Sequence, residues 1–195
     1  MSVKEKKQKF KDLLVPAIDR VYNDLQNQYD EIKTLIDTNQ NHPKIDKLMQ
    51  EYSAKDKQDL LQRIKPHPKS IAIAQAAIES AWATSRFTHI ANNLFGVWSL
   101  NENESRIQAS KTSGKSAVYV RKYNSIVESV KDYYKVLATS KVFEQFRIQK
   151  MKKDSIYELV KRLDKYSIRG KVYTNELESI IKYNKFYEFD KKVEK

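Results

Sequence analysis

The chain has 195 residues, with 37 Lys and Arg against 25 Asp and Glu, no Cys, three Gly and four Pro. That length suits one domain or one domain with an extension, and 40% hydrophobic residues suffice for a core, which excludes a wholly disordered chain. The lack of Cys excludes a disulfide scaffold, a thiolate zinc site and a cysteine nucleophile, and the scarcity of Gly and Pro argues against an all-β fold.

The formal net charge of +12 is compatible with a polyanionic partner such as nucleic acid, anionic lipid or an acidic cell-wall polymer. It is equally compatible with a soluble Lys-rich surface, because the basic residues are dispersed along the whole chain. No stretch approaches the roughly 18 apolar residues that cross a bilayer, so no transmembrane segment is expected. Residues 1–7 also lack the apolar core of a signal peptide.

The first predicted element is an amphipathic helix over Phe10–Ile36, whose apolar residues recur at three- and four-residue steps. Pro16 lies inside it and is expected to bend it. Two shorter helices are predicted around Ile45–Tyr52 and Lys55–Ile64. Residues 1–63 are therefore interpreted as a helical extension that packs on the following domain, because an apolar stripe of that length is rarely exposed in a monomer.

The segment Ile71–Trp82 is apolar on nearly every side, which predicts a helix buried at the centre of a domain. Pro68 favours a helix start just before it, because its fixed φ suits a first turn. A helix that continues through this segment places four residues along one face: Gln75, Glu79, Trp82 and Arg86.

Residues 95–123 are predicted to form a small β-hairpin lobe. Ala117–Tyr123 has the composition of a strand, whereas Leu100–Gly114 is polar and is predicted to be a loop or hairpin tip. The predicted fold class is thus α+β and predominantly helical.

Helices return after the lobe. Capping boxes that begin at Ser125 and Ser155 predict helices as far as Leu137 and Leu163. A loop at 166–170 then precedes a last helix, predicted over residues 174–183.

Glu79 is the principal candidate for catalysis. Its sequence neighbours are apolar apart from Gln75 and Ser80, so desolvation is expected to raise the pKa of its carboxyl. A carboxyl that stays protonated near neutral pH is what a general acid requires. The alternative is a structural carboxyl, paired with Arg86 or capped by backbone groups.

Four motifs follow one another along the chain: Ala74–Phe87, Ala91–Trp98, Tyr123–Tyr133 and Tyr166–Tyr173. Together they resemble the glucosaminidase domain of glycoside hydrolase family 73, its Bax-like members above all, over about residues 64–190. Two departures stand out. Ala83 occupies a position where the family usually has Gly, with little expected consequence because Ala is the better helix former. The lobe between Trp98 and Val118 matches the family poorly.

The resemblance implies a lysozyme-like helical domain over residues 64–195, with a small β lobe. It also implies hydrolysis of peptidoglycan glycan strands at the β-1,4 bond between N-acetylglucosamine and N-acetylmuramic acid, with Glu79 as general acid. Because peptidoglycan lies outside the cytoplasmic membrane, a periplasmic or otherwise exported protein is expected, after removal of a leader that this chain does not contain. A monomer that needs no cofactor and no nucleic acid is expected.

Glycoside hydrolysis also needs a group that stabilises or captures the oxocarbenium-like centre. The candidates for a second carboxylate are Glu102, Glu104 and Glu128, although solvated loop charges and a helix cap explain them equally well. A third route uses the 2-acetamido oxygen of the substrate as nucleophile. In that case Tyr166 is the residue predicted to orient the amide.

The residues predicted to line a sugar groove are Asn93, Phe95, Trp98 and Tyr123, since aromatic faces with a polar edge suit sugar rings. Core packing is the alternative for Phe95 and Trp98. His42, His67 and His89 are isolated in the sequence, so no metal site is predicted.

Three other functions compete with the glucosaminidase interpretation. A muramidase or lytic transglycosylase also uses a single Glu on a lysozyme-like scaffold. A basic nucleic-acid-binding protein would account for the charge, but no helix shows a one-sided basic face. A catalytically inactive wall-binding module would not need the acid that Glu79 supplies.

Overall fold

The computed structural model describes residues 1–110, 117–152 and 154–191. Within those residues it has nine α-helices and one two-stranded antiparallel sheet. The elements are α1 Val3–Asp37, α2 Pro43–Glu51, α3 Lys57–Ile64, α4 Lys69–Glu79, α5 Arg86–Ala91, β1 Arg106–Ser110, β2 Val118–Arg121, α6 Ile126–Thr139, α7 Glu144–Met151, α8 Ile156–Val160 and α9 Lys171–Tyr183. Three short 3₁₀ helices are Lys141–Phe143, Lys161–Leu163 and Phe186–Asp190. The predicted α+β, predominantly helical class is confirmed.

Helix α1 begins at Val3, seven residues before the predicted start. A capping box explains the difference: Glu5 N donates to Ser2 Oγ at 3.2 Å, and Ser2 N donates to the Glu5 carboxylate at 2.6 Å. Pro16 lies inside the helix. The buried apolar residues of the N-terminal half of α1 belong to one core with α4, α6 and α9, and they are Phe10, Leu14, Ala17, Ile18 and Val21.

Helices α2 and α3 form a second core on the C-terminal half of α1. Their apolar residues enclose Tyr29 and Ile32 of that helix. Arg63, which is buried, joins this part to α6, because its guanidinium donates to the carbonyls of Tyr52 at 3.1 Å and Ala138 at 3.3 Å. The two predicted short helices are confirmed.

Helix α4 is the central element, and every side chain from Ser70 to Ala77 is buried. Its first turn has no side-chain cap of its own. Asp190, in the last 3₁₀ helix, supplies one by accepting a hydrogen bond from Ser70 N at 2.9 Å. The last 3₁₀ helix thereby caps the start of the central helix.

The prediction that this helix runs through Trp82 is wrong, because α4 ends at Glu79. Ser80 ends it: its hydroxyl donates to Ala76 O at 2.5 Å and accepts from Ala83 N at 2.7 Å. The φ angles of Ala81, Trp82 and Ala83 are then 51°, 63° and 61°, a left-handed turn of three L-residues. Trp82 and Arg86 therefore do not continue the helical face of Glu79.

Aromatic packing holds this left-handed turn. The Trp82 ring meets Phe10 edge-on at 5.2 Å between centroids and Phe186 at 6.2 Å. Each non-glycine residue in this region costs about 1–2 kcal/mol. Helix propensity does not explain why Ala83 could replace the usual Gly of the family with little consequence, because Ala83 is not helical. At its positive φ, glycine is the favoured residue.

The β lobe consists of β1 and β2, with Ile107 opposite Val120 and a further bridge between Trp98 and Val120. Strand β1 lies inside the polar segment Leu100–Gly114, so the prediction of a loop or hairpin tip is wrong for Arg106–Ser110. The cross-strand pairing of its alternating side chains outweighs their polarity. The predicted hairpin tip falls partly on residues 111–116, outside the described residues.

Helix α6 begins after Ser125, whose hydroxyl accepts from Glu128 N at 3.2 Å, and it runs two residues past its predicted end. The predicted helix from Ser155 is present as α8 followed by a 3₁₀ turn. Helix α9 begins at Lys171, three residues before its predicted start. Helix α7 and the last 3₁₀ helix were not predicted. No helix of the described residues is long and apolar enough to cross a membrane.

Candidate active site

Glu79 is the last residue of α4, so it lies where the buried central helix meets the left-handed turn. Its carboxylate faces the segment that leads into the β lobe. A Cβ placed on Gly96 would lie 3.8 Å from Glu79 Oε2, and Gly96 itself has a φ of +63°. A side chain at Gly96 would therefore be strained by its backbone conformation, and its Cβ would lie in van der Waals contact with the carboxylate.

Burial raises the pKa of Glu79 from its ordinary value, while the Tyr173 hydroxyl and the charge of Arg169 act to lower it. Glu176, which is ion-paired with Arg169, acts to raise it further. The net direction is upward, as the sequence predicts from the apolar surroundings. The C-terminal end of a helix dipole also disfavours a carboxylate there.

Tyr173 is the phenol that acts on Glu79. It lies in the first turn of α9 with 1% of its surface exposed, and its hydroxyl, as a hydrogen-bond donor, lowers the pKa of the Glu79 carboxyl. Burial raises the pKa of this phenol far above its usual range, so the hydroxyl stays protonated as a donor. The same hydroxyl accepts a hydrogen bond from Gln75 Nε2 at 2.9 Å.

Tyr166, the predicted second catalytic residue, lies beside this pair. Its ring stacks on that of Tyr173 with 5.7 Å between centroids and 10° between planes. Its hydroxyl donates to Phe95 O at 3.3 Å, and burial followed by the charge of Glu79 raises its pKa. The sequence motif contains both tyrosines, but the interpretation assigned a role to Tyr166 and none to Tyr173.

The alternative ion pair between Glu79 and Arg86 does not form. Arg86 is exposed, and its guanidinium lies over the Phe87 ring at 5.9 Å. The cation that acts on Glu79 is Arg169, from the turn before α9. Arg169 lies within the terminal motif Tyr166–Tyr173, but no signal in the sequence pairs it with Glu79.

Asn93 and Phe95, both predicted to line a sugar groove, are buried, with 1% and 2% of their surface exposed. Asn93 Nδ2 donates to the carbonyls of Val97 at 3.0 Å and Arg121 at 2.9 Å, which ties the lobe to the helical part. Phe95 stacks on Tyr133 at 3.9 Å between centroids, 10° between planes. Both residues therefore support the site from the core.

Trp98 is the exposed aromatic residue of the predicted groove, with 63% of its surface accessible, and the core alternative fails for it. Tyr123 is partly exposed, and its hydroxyl donates to Asp132 at 2.6 Å. It lies on a cavity of about 690 Å³ between α1, α6 and the base of the lobe, and Glu79 does not line that cavity.

The three candidates for a second carboxylate have other partners. Glu102 lies 3.6 Å from Arg106, and Glu104 lies 3.2 Å from Arg121. The Glu128 carboxylate accepts from Asn124 N at 2.9 Å, as part of the start of α6. Among the described residues, no hydrogen bond or ion pair joins any of these carboxylates to Glu79.

Over residues 1–110, 117–152 and 154–191, no group of three or more His, Asp or Glu side chains could hold a metal ion. His42 caps α2, since its Nδ1 accepts from Lys44 N at 3.2 Å. His67 is buried and bonds to Tyr133.

A family model described as mannosyl-glycoprotein endo-beta-N-acetylglucosaminidase matches residues 54–186. Among curated proteins, the chain is 32% identical over 124 residues to protein bax of Escherichia coli K12. That match covers 60% of this chain and 43% of the relative, so the chain spans less than half of the curated relative's length.

Several solved structures share the fold. The catalytic domain of the autolysin Auto from Listeria monocytogenes has a TM-score of 0.53 and 18% identity, over 97% of this chain and 98% of the other. A peptidoglycan hydrolase from Sphingomonas sp. A1 has a TM-score of 0.50 and 20% identity, over 66% of this chain and 86% of the other. The family match begins ten residues before the domain boundary predicted from the sequence.

Proposed function

Because the chain belongs to the glucosaminidase family and is therefore a glycoside hydrolase, we propose that it cleaves peptidoglycan, with Glu79 as the general acid. The bond cleaved is the β-1,4 bond between N-acetylglucosamine and N-acetylmuramic acid. The observation that carries the role of Glu79 is its place at the end of a buried helix, where burial raises its pKa and Tyr173 contacts its carboxylate.

The two opposing influences on Glu79 suit one catalytic cycle. Before the reaction, desolvation favours the neutral acid, which protonates the glycosidic oxygen of the leaving group. After the transfer, Glu79 is a carboxylate. The hydrogen bond from the Tyr173 hydroxyl and the positive charge of Arg169 then stabilise its negative charge. The site therefore stabilises both the neutral carboxyl of Glu79 and its carboxylate.

We propose that the 2-acetamido oxygen of the substrate acts as the nucleophile. This route needs a group that holds the amide, and the Tyr166 hydroxyl suits it. That hydroxyl donates to Phe95 O, so its oxygen is free to accept the acetamido N–H. A second carboxylate is then unnecessary, in keeping with the other partners of Glu102, Glu104 and Glu128.

The substrate and the location are proposals of the same kind. The structural relatives include an autolysin and a peptidoglycan hydrolase, and a net charge of +12 suits a polymer with acidic groups. We propose that the protein acts outside the cytoplasmic membrane as a monomer. We also propose that residues 1–63 are a helical extension of a catalytic domain at 64–195, since α1 shares the main core.

Digestion of purified peptidoglycan followed by mass spectrometry tests the bond specificity. A new reducing end of N-acetylglucosamine supports the proposal. A new end of N-acetylmuramic acid, or its anhydro form, would instead identify a muramidase or a lytic transglycosylase. Protein with Glu79→Gln, run in parallel, controls for contaminating lytic activity.

A further inference from the structure

A chain of buried hydrogen bonds runs through the core behind Glu79. His67 Nε2 lies 2.9 Å from the Tyr133 hydroxyl, which donates to Gln75 Oε1 at 2.6 Å. Gln75 Nε2 donates to the Tyr173 hydroxyl at 2.9 Å, and that hydroxyl in turn acts to lower the pKa of Glu79. The four residues behind Glu79 are between 0% and 2% exposed.

The members of the chain come from different parts of the sequence. His67 follows α3, Gln75 lies on α4, Tyr133 on α6 and Tyr173 on α9. Burying four polar side chains among apolar neighbours costs free energy unless each has a partner, and here each one does. An apolar side chain at position 75 would fill the same space without that requirement.

The direction of these hydrogen bonds follows from the protons available. A phenol has one proton, and that of Tyr133 goes to Gln75 Oε1, so Tyr133 accepts from His67 Nε2–H. The NH₂ group of Gln75 then faces the Tyr173 oxygen, which leaves the Tyr173 proton for Glu79. If the amide were reversed, Gln75 Oε1 would take the Tyr173 proton away from Glu79.

We propose that Gln75, Tyr133 and His67 are positioning residues that hold the Tyr173 hydroxyl as a donor to the Glu79 carboxylate. This inference rests on the role of Glu79 in the proposed function. The chain orients and does not conduct protons, because an amide neither gains nor loses a proton at neutral pH. Burial and the charge of Lys150 hold the pKa of His67 well below its usual range, so its ring is neutral with one N–H.

Other groups that act on Glu79 do not belong to this series of hydrogen bonds. Arg169 and Glu176 contribute opposite charges from the turn before α9 and from α9 itself. Tyr166 packs beside Tyr173. Substitutions at Gln75 or Tyr133 leave all three in place, so a change in the titration of Glu79 reports on the hydrogen-bond chain.

The test is a ¹³C NMR titration of the Glu79 carboxyl, assigned by its loss in Glu79→Gln. Gln75→Met removes the amide at similar volume, and Tyr133→Phe removes one buried hydroxyl. In both variants the Tyr173 oxygen no longer has to accept from Gln75, so it can accept a hydrogen bond from protonated Glu79. Both variants should therefore raise the Glu79 pKa. The expected rise is about half a unit or more for Gln75→Met. The alkaline limb of the activity profile should move to higher pH by the same amount, because the acid must be protonated to act.

Tyr134→Phe is the matched control. Tyr134 is buried beside Tyr133, but its hydroxyl donates to His67 O at 3.4 Å and has no part in the chain. It should lose similar stability without shifting the titration of Glu79. Equal titrations for Tyr133→Phe, Gln75→Met and Tyr134→Phe would overturn the proposal.

A ¹⁵N NMR measurement of His67 in the unmodified protein provides a second test that does not depend on the folding of a variant. The proposal requires a proton on Nε2, and an unprotonated Nε2 would overturn it. Neither NMR measurement uses substrate. Full activity of Glu79→Gln would overturn the proposed function. The titrations of Glu79 and the ¹⁵N measurement of His67 would still test the hydrogen-bond chain, so the two failures can be told apart.

Discussion

At the scale of single residues, the site depends on the burial of Glu79 and on two groups that act on its carboxylate, the Tyr173 phenol and the Arg169 guanidinium. The pKa of Glu79 is raised by burial, and the hydrogen bond from Tyr173 and the charge of Arg169 limit that rise. The backbone from Ala81 to Ala83 is strained, because three successive positive φ angles turn the chain away from the helix axis. The two features lead to separate predictions.

Glu79→Gln should lower wall-degrading activity by about 10²–10⁴-fold, because the amide nearly preserves volume but cannot protonate the glycosidic oxygen. The variant should stay folded, with a melting temperature equal to or above that of the unmodified protein, since a desolvated ionisable group is removed. Turbidity loss of purified walls and a thermal melt on one preparation measure both quantities. Glu158→Gln, an exposed carboxylate paired with Lys161, is the control.

The stability difference should also depend on pH. The pKa of Glu79 in the folded protein is raised above its ordinary value of 4.5, so its contribution to stability is fully present below pH 4.5. That contribution is lost as pH rises through the folded pKa. Urea unfolding should therefore show Glu79→Gln gaining on the unmodified protein over that range. A well-folded Glu79→Gln with full activity would contradict its role as the acid.

Ala81→Gly should stabilise the protein. Ala81 is exposed and has a φ of 51°, so the substitution removes backbone strain of about 1–2 kcal/mol and buried contacts are unaffected. The greater freedom of glycine in the unfolded chain offsets part of this gain, about 0.4–1 kcal/mol. The expected net gain is about 0.5–1 kcal/mol, or roughly 1–4 °C in melting temperature.

Calorimetry measures the effect of Ala81→Gly, and Ala77→Gly is its matched control. Ala77 is buried inside α4, where glycine should cost about 1 kcal/mol. If the two variants lost similar stability, the left-handed turn would not be present in solution.

At the scale of elements, α1 is a part of the main core although all of it precedes the family match. Its N-terminal half packs on α4 and α6, and Phe10 supports the Trp82 ring after Glu79. The helix thereby braces the turn that ends α4. This arrangement is the basis for proposing that the extension stabilises the catalytic domain.

Phe10→Ala should lower the free energy of unfolding by about 3–5 kcal/mol, because it empties a buried site in contact with Trp82. Leu13→Ala on the same helix, where 45% of the side chain is exposed, should change it by about 0.5 kcal/mol or less. Urea unfolding of both variants measures the difference. Similar small effects would show that α1 does not pack on the domain in solution.

At the scale of the whole molecule, the dispersed charge of +12 surrounds a site whose own chemistry concerns an uncharged glycosidic bond. Dispersed charges act over about one Debye length, which is roughly 8 Å at physiological ionic strength. The charge should therefore affect association with an acidic polymer more than bond cleavage itself.

Raising the ionic strength from about 50 to 300 mM should weaken binding to walls that contain acidic polymers, because screening reduces the attraction. Cleavage of short neutral N-acetylglucosamine oligomers should change little over the same range. Sedimentation of the protein with walls and chromatography of the oligomer products give the two readouts. Equal salt effects on both substrates would contradict a role for the net charge in wall binding.

The helical class, the burial of the central helix and the raised pKa of Glu79 could be predicted from the sequence alone. These conclusions depend on local patterns, since apolar periodicity, caps and a lone carboxyl in an apolar run can all be recognised within about ten residues. The short helices α2 and α3 and the start of α6 were predictable for the same reason. The resemblance to a known family added the reaction.

The groups that surround Glu79 could be identified only from the folded structure. The helix ends at Glu79 because Ser80 competes for backbone hydrogen bonds and because Phe10 and Phe186 hold the Trp82 ring. Contacts between residues almost one hundred positions apart, such as that of Gln75 with Tyr173, have no local signature. For the same reason Asn93 and Phe95, polar and aromatic residues that suit a sugar groove, are buried in supporting positions.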